Sequence, residues 1–440
     1  MADHLHQNQM IRILEQYQVS AAPGSVPSTS LPLTFFDIPW IMCHPIQRIF
    51  FYHFPHPTHH FLHTLLPTLK HSLSLTLQHF FPFAANLVFP PNPHLNHPYI
   101  LYHESDSIPF TIAESTADFN HLVSHSPKNV SDLHPFVPAL PPPRTSQNGT
   151  RFVPLFAIQL TILPNSGFCI CATYAHVAGD GAAFLHFMKF WGSVCKARGD
   201  LSSLEASLPC HNREIIDDPK GIKLINLELL KNWEPEPKEF ASLVHVDNVR
   251  ATFVLSRDQI EKLKKWVMAK GSGDLHISSF VVTSSLVWVY CRNYPDVSVP
   301  KTYFGNCLLN RFVRLKRGQL VGENGFMEAV NGIEIKVRDV KSDVLKGAEA
   351  FMSNFLKVAT SGEPMVIIAG SPKLGSYECD FGLGKPRKCE LVHINSSTSV
   401  SLSDCWEEGG IEIGVALAKT QMNCFAAILE EQLATMIACD

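Results

Sequence analysis

The apolar and polar positions of this chain change period near residue 175, and that change predicts a strand, a turn and a helix in succession. Residues 168–174 form an apolar, β-prone run typical of a buried strand. Beyond Gly181 the large apolar residues recur at helical spacing as far as Trp191, which predicts a helix with one apolar face. A side chain on such a turn can be packed on one side and open to a channel on the other, so this turn is a favourable place for function.

Similar patterns predict other strands and helices. The strands are expected at 99–102, 152–163 and 249–255, and a leucine stripe between 62 and 77 predicts a helix. Ser256, with Gln259 three residues later, predicts the capping-box start of a further helix. The mixture of element types predicts a mixed α/β (α+β) protein.

The stretch 204–238 loses periodicity and collects prolines, which is typical of an exposed crossover between domains. A chain of 440 residues is also too long for one ordinary core. We therefore expect an N-terminal domain at 1–203, a crossover loop at 204–238 and a C-terminal domain at 239–440.

Composition and charge narrow the possible functions. The chain is 45% hydrophobic and 17% charged, as in compact globular proteins. A net charge of -4 gives no basic stripe for nucleic acid, so no such partner is expected. The start of the chain lacks a secretory pattern, and its apolar runs are too short to span a bilayer. We expect a monomeric, cytoplasmic protein without a membrane partner.

Two residue types could suggest other chemistry, and neither is expected to supply it. The 12 cysteines are dispersed without Cys-x-x-Cys pairs, which predicts reduced core thiols. A cluster of histidines at 56–63 is interrupted by proline and has no carboxylate or thiolate ligand nearby in the sequence. No metal site is therefore expected there.

The strongest candidate chemistry is the pair His176 and Asp180, a base and an anion four residues apart beside Gly179 and Gly181. Such a pair can deprotonate a hydroxyl, although the same spacing also arises by chance. The glycines oppose a regular helix there, which disfavours a metal pair on one helical face. Motifs elsewhere in the chain are needed to decide whether this pair is catalytic.

Two downstream motifs favour a catalytic role for the pair. Residues 380–386, DFGLGKP, resemble the DFGWG segment of the plant BAHD acyl-CoA-dependent acyltransferases, whose other hallmark is HxxxD, here His176 to Asp180. Residues 303–307, YFGNC, resemble the signature of the branch that acylates anthocyanin and other flavonoid or phenolic glucosides. The resemblance extends over nearly the whole chain, including FFD at 35–37.

This resemblance implies a fold and a reaction. The fold would comprise two chloramphenicol-acetyltransferase-like domains with mixed sheets, some exchanged strands and an active-site channel between them. The reaction would move an acyl group from malonyl-CoA or hydroxycinnamoyl-CoA to a sugar hydroxyl of a phenolic glucoside. Acyl-CoA would be a co-substrate, and no cofactor or metal is expected.

The resemblance also implies residue roles. His176 would be the general base, and Asp180 would hold the turn and pair with an arginine, for which Arg292 is the candidate. Asn306 is a candidate oxyanion donor or acceptor contact. The downstream loop is expected to be structural, through Asp380, Phe381, Gly382 and Gly384. Two lysines are candidates for the CoA phosphates, Lys264 and Lys265.

The chain departs from the family pattern in two places. Leu383 replaces the tryptophan of DFGWG, and 287–295 joins directly what relatives separate by some tens of residues, including a strand. The helix after HxxxD carries Phe184, Leu185 and Phe187 where malonyl transferases of this branch sometimes carry arginine. An uncharged acyl group would fit that lining better, but Arg311, Arg314, Lys385 and Arg387 could supply charge from elsewhere.

Two alternatives to direct transfer stay open from the sequence. An acyl group could pass through a cysteine, with Cys171 and Cys307 nearest to the motifs. The shortened stretch also allows a catalytically impaired relative that binds CoA or glucosides as a regulator.

Overall fold

The computed structural model describes residues 11–92, 96–231, 248–271, 277–286, 291–293, 299–321, 324–363, 365–395 and 399–437, with backbone alone at 291–293 and 340–342. The strands are β1 (Ile11–Val19), β2 (Thr29–Pro32), β3 (Ile46–His53), β4 (Asn86–Phe89), β5 (Tyr99–Tyr102), β6 (Ile108–Ser115), β7 (Lys128–Asn129), β8 (Arg144–Thr145), β9 (Arg151–Pro154), β10 (Phe156–Leu163), β11 (Gly167–Tyr174), β12 (Asn248–Leu255), β13 (Cys291–Asn293), β14 (Leu309–Arg311), β15 (Ile367–Ser371), β16 (Lys388–Leu391), β17 (Ser399–Asp404) and β18 (Ile411–Ala418). The helices are α1 (Thr58–His79), α2 (Phe119–Val123), α3 (Gly181–Lys196), α4 (Ile222–Leu230), α5 (Arg257–Lys270), α6 (Ser279–Leu286), α7 (Arg317–Leu320), α8 (Gly325–Ser342), α9 (Phe351–Ser361) and α10 (Lys419–Ile437).

Two large mixed sheets organise the chain. One has six strands in the order β1-β6-β10-β11-β3-β16, with β6 and β10 parallel and the other pairs antiparallel. The other has five strands in the order β15-β17-β18-β12-β7, with β15 and β17 parallel. Strands of both kinds in each sheet confirm the mixed α/β class.

Each large sheet borrows a strand from the other half of the chain. The strand β16 (Lys388–Leu391) closes the six-stranded sheet beside β3, and β7 (Lys128–Asn129) joins the five-stranded sheet beside β12. The two halves are therefore interlocked through backbone hydrogen bonds. The proposed boundaries at 203 and 239 stay a prediction, since residues 232–247 lie outside the described ranges.

The strand–turn–helix prediction is confirmed. Every residue of β11 is buried, because both faces of the six-stranded sheet are covered. The helix α3 packs its apolar face beside α1, where the Trp191 indole N–H donates to Leu69 O at 3.2 Å and to Ser72 Oγ at 3.1 Å. The capping box is confirmed as well, since Ser256 and Gln259 exchange both hydrogen bonds at the start of α5.

Two stretches differ in detail from the expectation. The run 152–163 is divided at Leu155 into β9 and β10, which belong to different sheets. The stretch 204–238 contains the helix α4, whose first N–H groups at Ile222 and Lys223 donate to the Asp218 carboxylate at 2.8 Å. A continuous apolar run does not show where the chain changes sheet, and a short helix gives little periodicity.

A buried ion cluster holds the two large sheets together. On β16, Lys388 donates to Glu412 of β18 at 2.8 Å. Glu390, also on β16, accepts from Arg250 Nε of β12 at 2.8 Å and lies 3.5 Å from Lys128 Nζ of β7. All five side chains are at most 6% exposed. Breaking one partner of such a cluster leaves a buried charge uncompensated, which is strongly destabilising.

The electrostatic balance of this cluster favours ionised Glu390. Burial alone would raise the pKa of Glu390, but Arg250, Lys128 and Lys388 lower it to about 2. A carboxylate with a depressed pKa in the folded state stabilises the fold above its unfolded pKa. That contribution is lost as the pH falls through the folded value.

We predict that Glu390→Gln lowers the free energy of unfolding at pH 7 by about 3–5 kcal/mol, because Arg250 and Lys128 then lack their anion. Its stability should also fall less steeply than that of the parent between about pH 4.5 and pH 2. Urea unfolding followed by circular dichroism at several pH values measures both effects.

The matched control is Glu378→Gln, which removes an exposed carboxylate paired with Lys189 at 2.6 Å. This change should cost less than about 1 kcal/mol. Equal losses in the two variants would contradict a special role for the buried cluster.

Candidate active site

The turn after β11 buries the two hallmark residues. His176–Ala178 form one 3-10 turn, and α3 begins at Gly181. His176 and Asp180 are each 2% exposed. The turn is therefore held by packing and by specific hydrogen bonds from separate parts of the chain.

Asp180 is the N-cap of α3 and also links the turn to the YFGNC segment. Its Oδ1 accepts from Ala182 N at 2.9 Å and Ala183 N at 3.0 Å, as an N-cap carboxylate should. Its Oδ2 accepts from Cys307 N at 3.1 Å, and its own N–H donates to Gly305 O at 3.2 Å. This geometry suits a structural role for Asp180.

The His176 ring lies between Trp40 and Asn306. The Trp40 ring stacks on the imidazole, with centroids 3.8 Å apart and planes at 6°. The imidazole Nδ1 lies 3.1 Å from Asn306 Oδ1. The stacking restrains rotation of the ring, and the amide oxygen selects one ring nitrogen.

The orientation of the Asn306 amide decides which imidazole nitrogen carries the proton. Its Nδ2 donates to Asp37 Oδ1 at 2.9 Å and to His176 O at 3.0 Å. The amide oxygen therefore faces the imidazole, and an oxygen can only accept. Nδ1 of His176 carries the proton, and Nε2 keeps a lone pair that can accept one from a substrate.

This arrangement does not favour the oxyanion role considered for Asn306 and points to a role that was not predicted. Both amide hydrogens have acceptors within the protein, at Asp37 and at the His176 carbonyl. An oxyanion donor would need a hydrogen free for the reacting oxygen. The geometry thus supports orientation of His176 rather than oxyanion stabilisation.

Asp37 collects donors from three segments of the chain. Its Oδ2 accepts from Thr34 N at 2.8 Å and Thr34 Oγ1 at 2.7 Å. Its Oδ1 accepts from the backbone N–H and the side chain of Asn306. Arg213 Nη1 lies 3.2 Å from Oδ2 and also donates to Tyr303 Oη at 3.0 Å. Asp37 is fully buried, and the Arg213 side chain is 3% exposed.

The charges of this network follow from its surroundings. Burial alone would lower the pKa of Arg213, but Asp37 and Tyr303 raise it above its ordinary value. Burial and the Asp37 charge raise the pKa of Tyr303. Arg213 is therefore a cation and Tyr303 a neutral hydroxyl at physiological pH.

The sequence analysis did not assign roles to Asp37, Trp40 or Arg213. A signal existed for Asp37, because it is the one charged residue in the apolar run 31–42. No local signal marks Arg213, which lies in the stretch of weak periodicity. Its role depends on contacts with residues distant in sequence.

The cysteine alternative finds no support in the site. Burial, with the Asp180 and Asp37 charges, raises the pKa of Cys307 to about 12. Burial and Cys169 raise the pKa of Cys171 well above its ordinary value. Since the thiolate is the nucleophile, both thiols are poor candidates for a covalent intermediate.

The DFGLG loop packs against the far end of α3. Asp380 Oδ1 accepts from the backbone N–H of Gly382, Leu383 and Gly384 at 2.8–3.0 Å. Its Oδ2 pairs with Lys196, the last residue of α3, at 2.9 Å. The other end of α3 carries Asp180, about 24 Å away at 1.5 Å per residue. The loop geometry supports a structural role.

Phe381 and the loop glycines complete that packing. The Phe381 ring meets Trp191 edge-on at 4.9 Å and Tyr52 at 5.6 Å. Gly382 and Gly384 have φ of 88° and 85°, a region that favours glycine. Leu383, at the position of the family's tryptophan, is 37% exposed.

The proposed acyl lining on α3 was wrong. Phe184, Leu185 and Phe187 are at most 1% exposed and belong to the main hydrophobic core. The Phe184 ring stacks on Tyr174 with centroids 4.7 Å apart. Helical periodicity identified the apolar face correctly, but that face packs against the sheet and does not indicate the donor.

Three other predicted residues stay predictions. Lys264 pairs with Glu261 at 2.7 Å, and Lys265 is exposed on α5. Arg292 lies on β13, which pairs with β14, but its side chain lies outside what the structure describes. Among the described residues, no group of three or more His, Cys, Asp or Glu could hold a metal ion.

Comparison with known proteins identifies the family. The model of the Transferase family matches residues 9–294 and 289–432. A coumaroyl-CoA:anthocyanidin 3-O-glucoside-6''-O-coumaroyltransferase of Arabidopsis thaliana is 40% identical over 96% of this chain and 97% of its own. The chain belongs to the BAHD acyltransferase family. The family predicted from the HxxxD, YFGNC and DFGLG motifs is confirmed.

A further relative of this acyltransferase and a solved structure agree. A malonyl-coenzyme A:anthocyanin 3-O-glucoside-6''-O-malonyltransferase of Dahlia pinnata is 37% identical over 97% of this chain and 98% of its own. The crystal structure of vinorine synthase shares the fold, with a TM-score of 0.66 at 17% identity over 94% of this chain and 96% of that chain. The fold expected from the resemblance is confirmed.

The family match also bears on residues 287–295, the stretch of this acyltransferase that appeared shortened in the sequence. Its two matched segments both include residues 289–294. A deletion within the family pattern would give this overlap. Residues 287–290 and 294–298 lie outside the described ranges.

We predict that His176→Gln lowers kcat by about 10²-fold or more, because the general base is lost. The Gln amide can still donate to Asn306 Oδ1, so the unfolding free energy should change by less than about 1 kcal/mol. Asp180→Asn keeps the N-cap oxygen but loses the acceptor for Cys307 N, so it should retain clearly more activity than His176→Gln.

Asp180→Ala completes the series, because it removes the cap and the bond to Cys307 N. It should lower the unfolding free energy by about 1–2 kcal/mol. Steady-state kinetics and urea unfolding measure the three variants together. A fully stable Asp180→Asn protein as inactive as His176→Gln would refute the structural role of Asp180.

Proposed function

We propose that this acyltransferase moves an acyl group from a CoA thioester to a sugar hydroxyl of a flavonoid, anthocyanin or other phenolic glucoside. The observation that carries the proposal is the His176 imidazole, whose Nδ1–H faces Asn306 Oδ1 at 3.1 Å. Its Nε2 lone pair is the base that acyl transfer to a hydroxyl requires. The relatives named above act on anthocyanin glucosides, which supports the acceptor class.

The reaction needs one proton carrier. Nε2 of His176 takes the proton of the sugar hydroxyl as that oxygen attacks the thioester carbonyl. The tetrahedral intermediate then collapses, the carbon–sulfur bond breaks, and the imidazolium returns the proton to the departing CoA sulfur. Histidine suits both steps because an imidazole can accept and return a proton near neutral pH.

Proton transfer supplies only part of the rate. General base catalysis contributes about 10²–10⁴-fold, so positioning and stabilisation of the oxyanion supply the rest. We assign Asn306 to positioning, because its amide hydrogens are directed at Asp37 and the His176 carbonyl. Asp180 holds the turn through the N-cap of α3.

The donor is an acyl-CoA, either hydroxycinnamoyl or malonyl. The coumaroyl and malonyl relatives are 40% and 37% identical to this chain. The α3 residues that suggested an uncharged acyl group belong to the core. Both donors therefore enter the proposal on equal terms.

Cytoplasmic location and a monomeric state are also part of the proposal. The ten cysteines whose side chains the structure describes are all free thiols, as in a reducing compartment. No helix among the described residues is long and apolar enough to cross a bilayer.

The non-catalytic alternative gains no support from the site. A protein that only binds CoA or glucosides has no need of an oriented base. Here His176, Asn306 and Asp37 form a connected set of hydrogen bonds. We therefore retain the enzymatic function as the proposal.

We predict turnover when the purified protein is mixed with coumaroyl-CoA or malonyl-CoA and an anthocyanidin or flavonoid glucoside. Liquid chromatography with mass spectrometry would identify the acylated glucoside, and free CoA thiol should appear in equal amount. The His176→Gln protein is the control and should show a rate at least about 10²-fold lower.

The panel also separates the two functional classes. Measurable binding of CoA thioesters without turnover, for every donor and acceptor pair, would contradict the enzymatic proposal. An aglycone without sugar should not be acylated if the sugar hydroxyl is the acceptor.

A further inference from the structure

The segment between the two halves of the chain runs along the candidate active site. Cys210 N donates to Thr302 O at 2.8 Å, and Phe304 N donates to Cys210 O at 2.9 Å. Residues 210 and 303 thus form a parallel β-bridge beside the YFGNC segment. The His211 ring lies against Phe81 and Phe304, with ring centroids at 4.7 and 5.5 Å. These contacts place the next residues of the segment beside Asp37.

Arg213 reaches the network through a gap that glycine provides. A Cβ atom on Gly305 would lie 2.1 Å from Arg213 Nη1. The guanidinium therefore packs directly over the backbone of the YFGNC segment. From there Nη1 contacts both Asp37 oxygens, at 3.2 and 3.4 Å, and the Tyr303 hydroxyl.

Stability alone does not explain a buried arginine at this place. Its Nε and Nη2 atoms are buried, and neither has a hydrogen-bond partner among the described residues. Unsatisfied buried donors are costly, and buried ion pairs often contribute less stability than apolar residues of similar volume. We therefore looked for an effect of the Arg213 charge on the candidate site.

That effect is on Asp37. Among the described residues, Arg213 alone places a cation within ion-pair distance of the Asp37 carboxylate. Without it, the buried Asp37 charge would lack a counter-ion, which is costly. The hydrogen bonds around the carboxylate, including the one from the Asn306 amide, would then rearrange to relieve that cost.

The consequence reaches the imidazole. If the Asn306 amide reversed, its Nδ2 would face His176 Nδ1 and donate to it. The imidazole proton would then reside on Nε2, where it cannot accept a proton from the substrate. The His176 carbonyl opposes this reversal by accepting from Nδ2, and the anionic Asp37 is the stronger, charge-assisted acceptor.

We infer that Arg213 is a positioning residue for His176: it compensates the buried Asp37 charge and holds that carboxylate against the Asn306 amide, which in turn holds the imidazole proton on Nδ1. The inference rests on the proposed general-base role of His176. The segment between the halves thereby contributes directly to the catalytic geometry.

The first test compares Arg213→Ala with Arg250→Ala. Arg250 is the matched control, because it is also a buried arginine in an ion pair. Its partner is Glu390, in the buried ion cluster between the two large sheets. Arg213→Ala should lower kcat by roughly 10²-fold while KM for the CoA thioester changes by less than about twofold. Arg250→Ala should lose stability and keep the parent kcat in the folded fraction.

Chemical rescue distinguishes the charge from the packing. Guanidinium ions at low millimolar concentration should restore the Arg213→Ala rate by about tenfold, because they can occupy the space left beside Asp37. Urea, which is planar and uncharged, should not. Arg213→Lys keeps the positive charge and should retain more activity than Arg213→Ala. A folded Arg213→Lys protein as impaired as Arg213→Ala would overturn the inference.

The second test does not depend on turnover. The ¹⁵N spectrum of His176, identified by its absence in His176→Gln, should show the Nδ1–H tautomer in the parent and in Arg213→Lys. Arg213→Ala should shift the population towards the Nε2–H tautomer. An unchanged tautomer, or an Arg213→Ala protein with the parent kcat, would overturn the positioning role.

The two tests separate the inference from the function on which it rests. A parent protein with no activity on any CoA thioester would contradict the proposed function. The tautomer measurement would still decide whether Arg213 controls the imidazole.

Discussion

The candidate site depends on a carboxylate that is removed from water. Asp37 is fully buried, and each of its oxygens must be satisfied by the protein. The groups that satisfy it come from Thr34, Arg213 and Asn306. Because these donors share one buried acceptor group, a donor that moved away would leave the carboxylate incompletely satisfied. Asn306 transmits this constraint to His176.

The same physical principle acts elsewhere with a different result. In the buried ion cluster between the two large sheets, Glu390 and Glu412 are satisfied by cations on strands of both sheets. That cluster contains no side chain of the candidate site, and its effect is to hold β16 against β12 and β18. His176 follows a strand of the first sheet, whereas the YFGNC segment belongs to the second half. The site is therefore complete only when the halves are docked.

The helix α3 relates the two hallmark motifs. Asp180 caps its first turn, and Lys196 at its last residue pairs with Asp380. The helix packs through Trp191 and Phe381, so the DFGLG loop supports the far end of a rigid element. This explains how a loop remote from His176 can be a hallmark of the fold without taking part in the chemistry.

The sequence by itself determined the local structure around β11 and α3, the capping box at Ser256, the mixed α/β class and the family. Those features depend on short-range periodicity or on motifs whose residues are neighbours in the chain. Tertiary structure alone decided that Phe184 is a core residue, that 152–163 serves two sheets, and that Arg213 reaches Asp37 across 176 positions. Periodicity shows that a face is buried but not what it is buried against, and a buried charge finds its partner only when the chain has folded.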